Sequence, residues 1–215
     1  MFSELFNNPV SFFVWIIALL IAITIHEFAH AFAADRLGDP TPRLNGRLTL
    51  NPLAHLDLLG TLMLLLIRFG WGKPVPFDPY NLRNPRRDAA IISVSGALSN
   101  LILATTLSLI LRFSWFFLGP KSLILELFLV PIITLNVMLA IFNLTPIHPL
   151  DGGKVLVGIL PQKTAIEVDQ FLGRYGLFVL LFLIFPFFGS PLVFTIIFPI
   201  IRTILSLLLP GGSLI

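Results

Sequence analysis

The sequence predicts an all-α polytopic membrane protein with about five full transmembrane helices, a short re-entrant segment and a small membrane-associated β element. Of the 215 residues, 56% are hydrophobic and 12% are charged, whereas about 25% of the residues in a typical soluble domain are charged. The apolar residues form runs separated by loops that hold most of the Lys and Arg residues. This composition excludes a disordered chain and an ordinary soluble domain.

The first apolar run extends over residues 10–34 and predicts the first span. Ala31-Phe32-Ala33 imitates a signal-peptidase site. However, the residues before the run include Glu4 and no Lys or Arg, and His26 and Glu27 interrupt the run ahead of that site. A signal peptide has a basic start and an uninterrupted apolar core, so we expect a retained helix.

The polar connector 35–57 contains a short alternation of polar and apolar residues at 47–50, between Gly46 and Asn51. Such an alternation predicts a strand, and an interfacial turn is the alternative. An open strand edge would bind an unwound substrate segment through main-chain hydrogen bonds. The predicted substrate-binding residues are Arg47, Leu48, Thr49, Leu50 and Asn51.

The next apolar run, 58–69, has only 12 residues. As a helix it reaches about 18 Å, well short of the roughly 30 Å hydrocarbon core. We therefore predict a re-entrant segment. The following loop, 70–88, is rich in proline and arginine.

The rest of the sequence predicts five further membrane-associated segments. Two full spans are expected at 89–111 and 122–144, an amphipathic interfacial segment at 154–174, and a hairpin of two spans at 175–188 and 191–209. We expect one transmembrane domain over residues 1–215, with a catalytic core at about 10–155 and the helical hairpin at about 171–209.

The first span contains an H-E-x-x-H motif formed by His26, Glu27 and His30. Residues i and i+4 lie on one face of a helix, so the two imidazoles can bind one zinc ion while Glu27 acts as general base toward water. Ionisable residues are costly inside a membrane and are usually functional there. The alternative is a solvated, inert position just beyond the lipid.

A hydrolytic zinc site needs a third protein ligand and one open position. The candidates are Asp151, His148, His55 and Asp57. We favour Asp151, because Gly152 and Gly153 allow the backbone and a metal to approach closely. The alternative for Asp151 is a simple turn or helix cap, and for the two histidines an interfacial hydrogen bond.

Topology connects the two halves of this site. If segment 58–69 crossed the bilayer, Asp151 would emerge on the side opposite His26 and His30. If the segment is re-entrant, all three residues meet on one side. That side also holds the basic residues of 36–87 and 154–174, so the positive-inside rule places the site toward the cytoplasm and the N-terminus outside.

Three motifs together resemble the site-2 protease family of intramembrane zinc metalloproteases, most closely its compact branch without PDZ or CBS domains. The first is the H-E-x-x-H of residues 26–30. The second, residues 95–100, is similar to the family's G-P-x-x-N, with Ala97 in place of proline. The third, residues 143–152, matches N-x-x-P-x-x-x-L-D-G completely.

The resemblance implies His26, His30 and Asp151 as ligands of one Zn²⁺ per chain, Glu27 as the catalytic base, and Asn143 as a polar group near the scissile carbonyl. We also assign Asn100 to substrate binding. The expected partners are single-span membrane-protein substrates and the lipid bilayer, in a prokaryotic cell membrane.

Two other functions remain open at this stage. A zinc or proton-coupled transporter would also need intramembrane His, Glu and Asp, although such proteins often contain inverted repeats and this sequence shows no repeat. An inactive relative would serve as a membrane binding module. The sequence lacks basic–aromatic interleaving, so we expect no nucleic-acid partner. With no cysteine, disulfides and thiolate metal sites are excluded.

Overall fold

The structure is a computed structural model that describes residues 8–67, 71–186 and 189–210. In chain order its helices are α1 Pro9–Arg36, α2 Thr41–Leu44, α3 Leu58–Ile67, α4 Pro85–Leu118, α5 Leu123–Asn143, α6 Asp151–Ile159, α7 Gln162–Ile184, α8 Leu192–Ile196 and α9 Phe198–Leu208. Three 3₁₀ turns occur at Pro52–Ala54, Pro79–Asn81 and Gly119–Ser122. Within these described ranges the fold is all-helical.

Three helices, α1, α4 and α5, are long and apolar enough to cross a membrane. They contain 28, 34 and 21 residues, and about 20 residues are needed to span the hydrocarbon core. The protein is therefore an integral membrane protein with these helices at its centre.

The predicted fourth and fifth spans do not form separate long apolar helices. The fourth is the second half of α7, whose first half carries the charges of Lys163, Glu167 and Asp169, so the predicted interfacial segment and the predicted span share one helix. The fifth is divided into α8 and α9 at Ile197. Pro199 explains the break, because proline has no N–H to continue a helix. Phe188 lies outside the described residues.

The apolar segment that includes α3 begins and ends at the same place. The N–H of Lys73 donates to the carbonyl of His55 at 2.9 Å, and Leu56 faces Gly72 in an antiparallel bridge. A segment whose two ends are hydrogen-bonded to each other cannot finish on the opposite side of a membrane. This geometry agrees with the predicted re-entrant segment; Phe69, its last predicted residue, lies outside the described residues.

The strand predicted at 47–50 is replaced by bends. The N–H of Thr49 donates to the carbonyl of Arg47 at 2.9 Å, which curves the backbone. Asn51 then caps the next 3₁₀ turn by accepting the N–H of Leu53 at 3.1 Å. An alternation of four residues was too short to outweigh these local bonds.

The central packing joins α4 to α1, α5 and α6. A buried cluster between α4, α5 and the C-terminal helices includes Leu111, Ile133, Val137, Ile201 and Leu205. At the end of α9, Arg112 and Ser108 on α4 donate to the carbonyls of Leu207 and Leu208. These bonds satisfy carbonyls that a helix end leaves unpaired and fix the C-terminal helices against α4.

Candidate active site

Two imidazoles and one carboxylate meet beside the C-terminal half of α1. His26 and His30 lie one turn apart on α1 and are only 4% and 8% exposed. The Nε2 atom of each lies 3.0 Å from Oδ2 of Asp151, the first residue of α6. The three donor atoms lie within 4.8 Å of one another. Residues more than 120 positions apart in the chain are therefore brought to one point.

Close backbone packing brings Asp151 to this position. After α5 ends at Asn143, the chain folds back in tight turns, and Leu150 donates its N–H to the carbonyl of Ile147 at 2.9 Å. A Cβ on Gly152 would lie 2.3 Å from the carbonyl oxygens of Leu144 and Thr145. Only glycine fits there, so α6 can begin directly against the end of α5 with Asp151 at its start.

Both imidazoles are held from behind. Nδ1 of His26 lies 2.9 Å from Oδ1 of Asn100, and Nδ1 of His30 lies 2.7 Å from the carbonyl of Ile92. Because each acceptor is an oxygen, each Nδ1 carries the proton. Each Nε2 therefore presents a lone pair toward Asp151, the arrangement that metal-binding histidines commonly use.

The position of Asn100 corrects one expectation. Its side chain is completely buried between α4 and α1 and contacts His26 rather than an open surface. A fully buried amide cannot contact a substrate backbone. Its role is therefore to hold His26. The sequence motif singled out Asn100, but it did not indicate which neighbour the side chain would contact.

Gly96 allows α4 to approach the two histidines. A Cβ built on Gly96 would lie 2.5 Å from Cε1 of His30, 2.6 Å from its Nε2 and 2.8 Å from Cε1 of His26. All three distances are shorter than real Cβ contacts. The absence of a side chain at residue 96 therefore provides the space in which the two imidazoles stand.

Glu27 lies half-buried beside an extended backbone segment. Its Oε2 accepts the N–H of Val75 at 3.1 Å. A Cβ on Gly72 would lie 3.9 Å from its Oε1. The segment 71–78 thus passes along the carboxylate and orients it.

Separate anchors fix segment 71–78. Arg47, which is buried, donates to the carbonyls of Lys73 and Pro74 and also to that of Ala54. At the far end, Asp39 accepts the N–H of Asp78 at 2.7 Å. Burial alone would raise the pKa of Asp39, but hydrogen bonds from Thr41, Asn81 and Asp78 lower it below its usual range. The predicted substrate residue Arg47 therefore supports this backbone with its side chain.

The other candidate ligands are occupied elsewhere. Nε2 of His55 lies 2.8 Å from the carbonyl of Thr49, and Nε2 of His148 lies 3.0 Å from Oδ1 of Asp169. Asp57 accepts the N–H of Gly60 at 2.7 Å. Among the described residues, one group of side chains has the spacing needed to bind a metal, namely His26, His30 and Asp151. His55, His148 and Asp57 do not belong to that group.

Asn143 lies at the end of α5, where its Nδ2 donates to the carbonyl of Leu139 at 3.0 Å. This bond uses one of the two amide hydrogens, so among the described residues one donor and the carbonyl oxygen of the side chain remain available. The predicted role of Asn143 near the scissile carbonyl stays a prediction.

Comparison with known proteins gives consistent results. The model of peptidase family M50 matches residues 119–185, a range that includes Asp151. The chain is 36% identical over 191 residues to "Putative zinc metalloprotease YwhC" of Bacillus subtilis, covering 87% of this chain and 85% of that protein. It is 35% identical over 166 residues to "Putative zinc metalloprotease Rip2" of Mycolicibacterium smegmatis, covering 73% of this chain and 62% of that protein.

A more distant relative is "Zinc metalloprotease MJ0392" of Methanocaldococcus jannaschii, at 25% identity over 160 residues, which are 74% of this chain and 38% of that protein. No solved structure matches the chain.

Proposed function

Because the chain belongs to peptidase family M50 and is a zinc metalloprotease, we propose that it cleaves the transmembrane segments of substrate proteins and that His26, His30 and Asp151 are its zinc ligands. The observation that carries this proposal is the meeting of these three side chains, in which Nε2 of each histidine on α1 lies 3.0 Å from Oδ2 of Asp151 on α6. They meet among helices apolar enough to cross a membrane.

The donor set fits zinc. Two imidazole nitrogens and one carboxylate oxygen form a known hydrolytic set, and ligand bonds of about 2.0–2.2 Å place tetrahedral donors roughly 3.4 Å apart. The Asp151 oxygen lies 3.0 Å from each Nε2, and all three donor atoms lie within 4.8 Å of one another, so small shifts of these side chains would suffice. When bound, zinc supplies a Lewis acid that activates water and polarises a carbonyl.

The protein's own residues complete the chemistry. Glu27 is offset by one residue from His26, and Val75 holds its carboxylate, so that it can accept the proton of the attacking water as general base. Asn143 is proposed to donate its free amide hydrogen to the oxyanion that develops at the scissile carbonyl. His26 and His30 keep their Nε2 lone pairs toward the site throughout.

The closed segment around α3 supports a proposed membrane arrangement. Since the chain returns to its starting side there, α1, α4 and α5 cross in alternating directions and the site lies on the side with most basic residues. We propose that this side is cytoplasmic and the N-terminus outside. Residues 10–155 would form the catalytic core, and the apolar half of α7 with α8 and α9 would add the two further crossings.

The bends at 47–51 keep a proposed role in substrate binding. Within the described part of the chain, the N–H groups of Leu48 and Leu50 make no hydrogen bond, and Leu50 is largely exposed. These groups are available to pair with an unwound substrate. We expect Leu50→Pro to lower cleavage of a single-span substrate at least tenfold with zinc retained, and Leu50→Ala, which keeps the N–H, to cleave normally. Equal activity of the two variants would remove this role.

Metal analysis of the purified protein tests the site directly. Wild type is expected to hold one zinc ion per chain, and Asp151→Ala less than a tenth of that, because two imidazoles alone bind zinc weakly. Asp169→Ala is the matched control: this exposed carboxylate contacts His148 but not α1, so its zinc content should equal that of wild type. Full zinc occupancy in Asp151→Ala would refute the ligand assignment.

A further inference from the structure

A row of buried amides lies behind His26. Asn100 on α4 and Asn136 on α5 are both completely buried, and Nδ2 of Asn100 lies 2.7 Å from Oδ1 of Asn136. Oδ1 of Asn100 lies 2.9 Å from Nδ1 of His26. The row thus runs from α5 through α4 to α1. Asn136 lies outside all three sequence motifs.

Two backbone carbonyls fix the direction of every bond in this row. The carbonyls of Ala22 and Ile132 can only accept, and they lie 3.0 Å from Nδ2 of Asn100 and 2.8 Å from Nδ2 of Asn136. The NH₂ groups of both amides must therefore face these carbonyls. Oδ1 of Asn136 then accepts from Asn100, and Oδ1 of Asn100 accepts from His26.

We infer that Asn136 is a positioning residue: it holds the Asn100 amide in the orientation that keeps the proton of His26 on Nδ1 and leaves Nε2 free to bind the metal. The inference rests on the proposed function, in which His26 is a zinc ligand. Asn136 itself touches neither the metal nor the substrate.

The physical reason lies in the number of partners that Asn100 has. With Asn136 present, both N–H bonds of Asn100 are satisfied, and a flipped amide would point its oxygen at two acceptors. Without Asn136, one N–H of Asn100 is buried without a partner, which is costly. The flipped amide would direct an N–H at Nδ1 of His26 and move the imidazole proton to Nε2, where it blocks metal binding.

A purely structural role for Asn136 predicts a different result. If the residue only satisfied buried polar groups, its removal would lower stability and leave the proton of His26 on Nδ1. The position of that proton therefore separates the two roles. It can be measured in the metal-free protein from the side-chain ¹⁵N chemical shifts of His26, assigned by their loss in His26→Ala.

The experiment compares Asn136→Leu, Asn136→Asp and Thr134→Val in lipid nanodiscs. For Asn136→Leu we expect about tenfold weaker zinc binding, at the low end for partners of metal ligands, and a His26 population that has lost its proton from Nδ1. Asn136→Asp should resemble wild type, because a neutral carboxyl offers a carbonyl oxygen to Asn100 and a hydroxyl to Ile132. Thr134 is the matched control, since it is buried on the same helix and its hydroxyl has no partner among the described residues.

A double-mutant cycle tests whether Asn136 acts through Asn100. In an Asn100→Leu background, Asn136→Leu should weaken zinc binding no further. A folded Asn136→Leu protein with unchanged zinc affinity and the proton on Nδ1 would overturn the inference, as would full additivity in the cycle.

If Asn136→Leu does not fold, Asn136→Ala takes its place, because it removes the same hydrogen-bond acceptor without adding an apolar side chain. Loss of the Nδ1 proton of His26 together with weaker zinc binding supports the inference, and wild-type zinc affinity with the proton kept on Nδ1 contradicts it. His26→Ala separates the two proposals: zinc affinity equal to wild type in that variant would refute the proposed function, whatever the Asn136 variants show.

Discussion

Replacement of Glu27 with glutamine is expected to lower the rate of substrate cleavage by a factor of about 10²–10⁴, the contribution that a general base commonly makes, while one zinc ion per chain stays bound. Glutamine has almost the same shape, and its carbonyl oxygen can still accept the N–H of Val75. What it loses is the ability to take a proton from water. Zinc content and cleavage of a purified single-span substrate should be measured on the same sample.

Glu167→Gln is the matched control for this variant, because Glu167 is exposed on α7 and is not one of the three side chains proposed to bind zinc. It should retain both cleavage and zinc. Persistent cleavage by Glu27→Gln would refute the role of general base, and loss of zinc would make Glu27 a ligand. Metal or proton transport by wild-type protein that shows no cleavage would favour the transporter alternative.

Substitution of Gly96 by alanine is expected to weaken the affinity for zinc more than 100-fold and to abolish cleavage. The added Cβ would lie 2.5–2.8 Å from atoms of His30 and His26, so the rings or α4 must move. A displacement of this size separates the metal donors, whereas the helices, packed elsewhere along their length, should keep their circular dichroism. Isothermal titration with zinc is the direct measurement.

Gly173→Ala provides the control for Gly96→Ala. Gly173 lies inside α7, and a Cβ there would meet nothing within 4 Å. Alanine should therefore leave zinc binding unchanged and stabilise the helix by about 0.5–1 kcal/mol. Normal zinc affinity in Gly96→Ala would show that the imidazoles do not need the space beside α4, contrary to the geometry described above.

The residues proposed as zinc ligands could be selected from the sequence because their signals are local. The spacing of His26 and His30 puts them on one helix face whatever the rest of the fold does. The short apolar run at 58–69 then decided on which side Asp151 would emerge, since 12 residues cannot cross a bilayer. The structure brings the three residues together as that argument expected.

The predictions that failed depended on contacts distant in sequence. The strand at 47–50 was read from alternation alone, but Arg47 turns inward to bind carbonyls of residues 73 and 74, which no local pattern shows. Asn100 was assigned to substrate for the same reason. Its motif gives its identity, but its direction depends on how α4 packs against α1.

The C-terminal spans show a different limit. Hydropathy identifies 175–188 and 191–209 as apolar, but it does not show where each helix begins. Prolines before or within these runs determine the helix starts. The helix α7 starts thirteen residues earlier than the predicted span, at Gln162, directly after Pro161. Pro199 then divides the last run. Ala97, which stands where the family motif has proline, leaves α4 unbroken.

The hydrogen bond between the N–H of Lys73 and the carbonyl of His55 holds the two ends of the intervening segment together. In the proposed membrane arrangement, a longer or shorter segment would enter the lipid to a different depth, while the residues after it would still emerge on the same side. Changes in the length of this segment would therefore leave the direction in which the later helices cross the membrane unchanged.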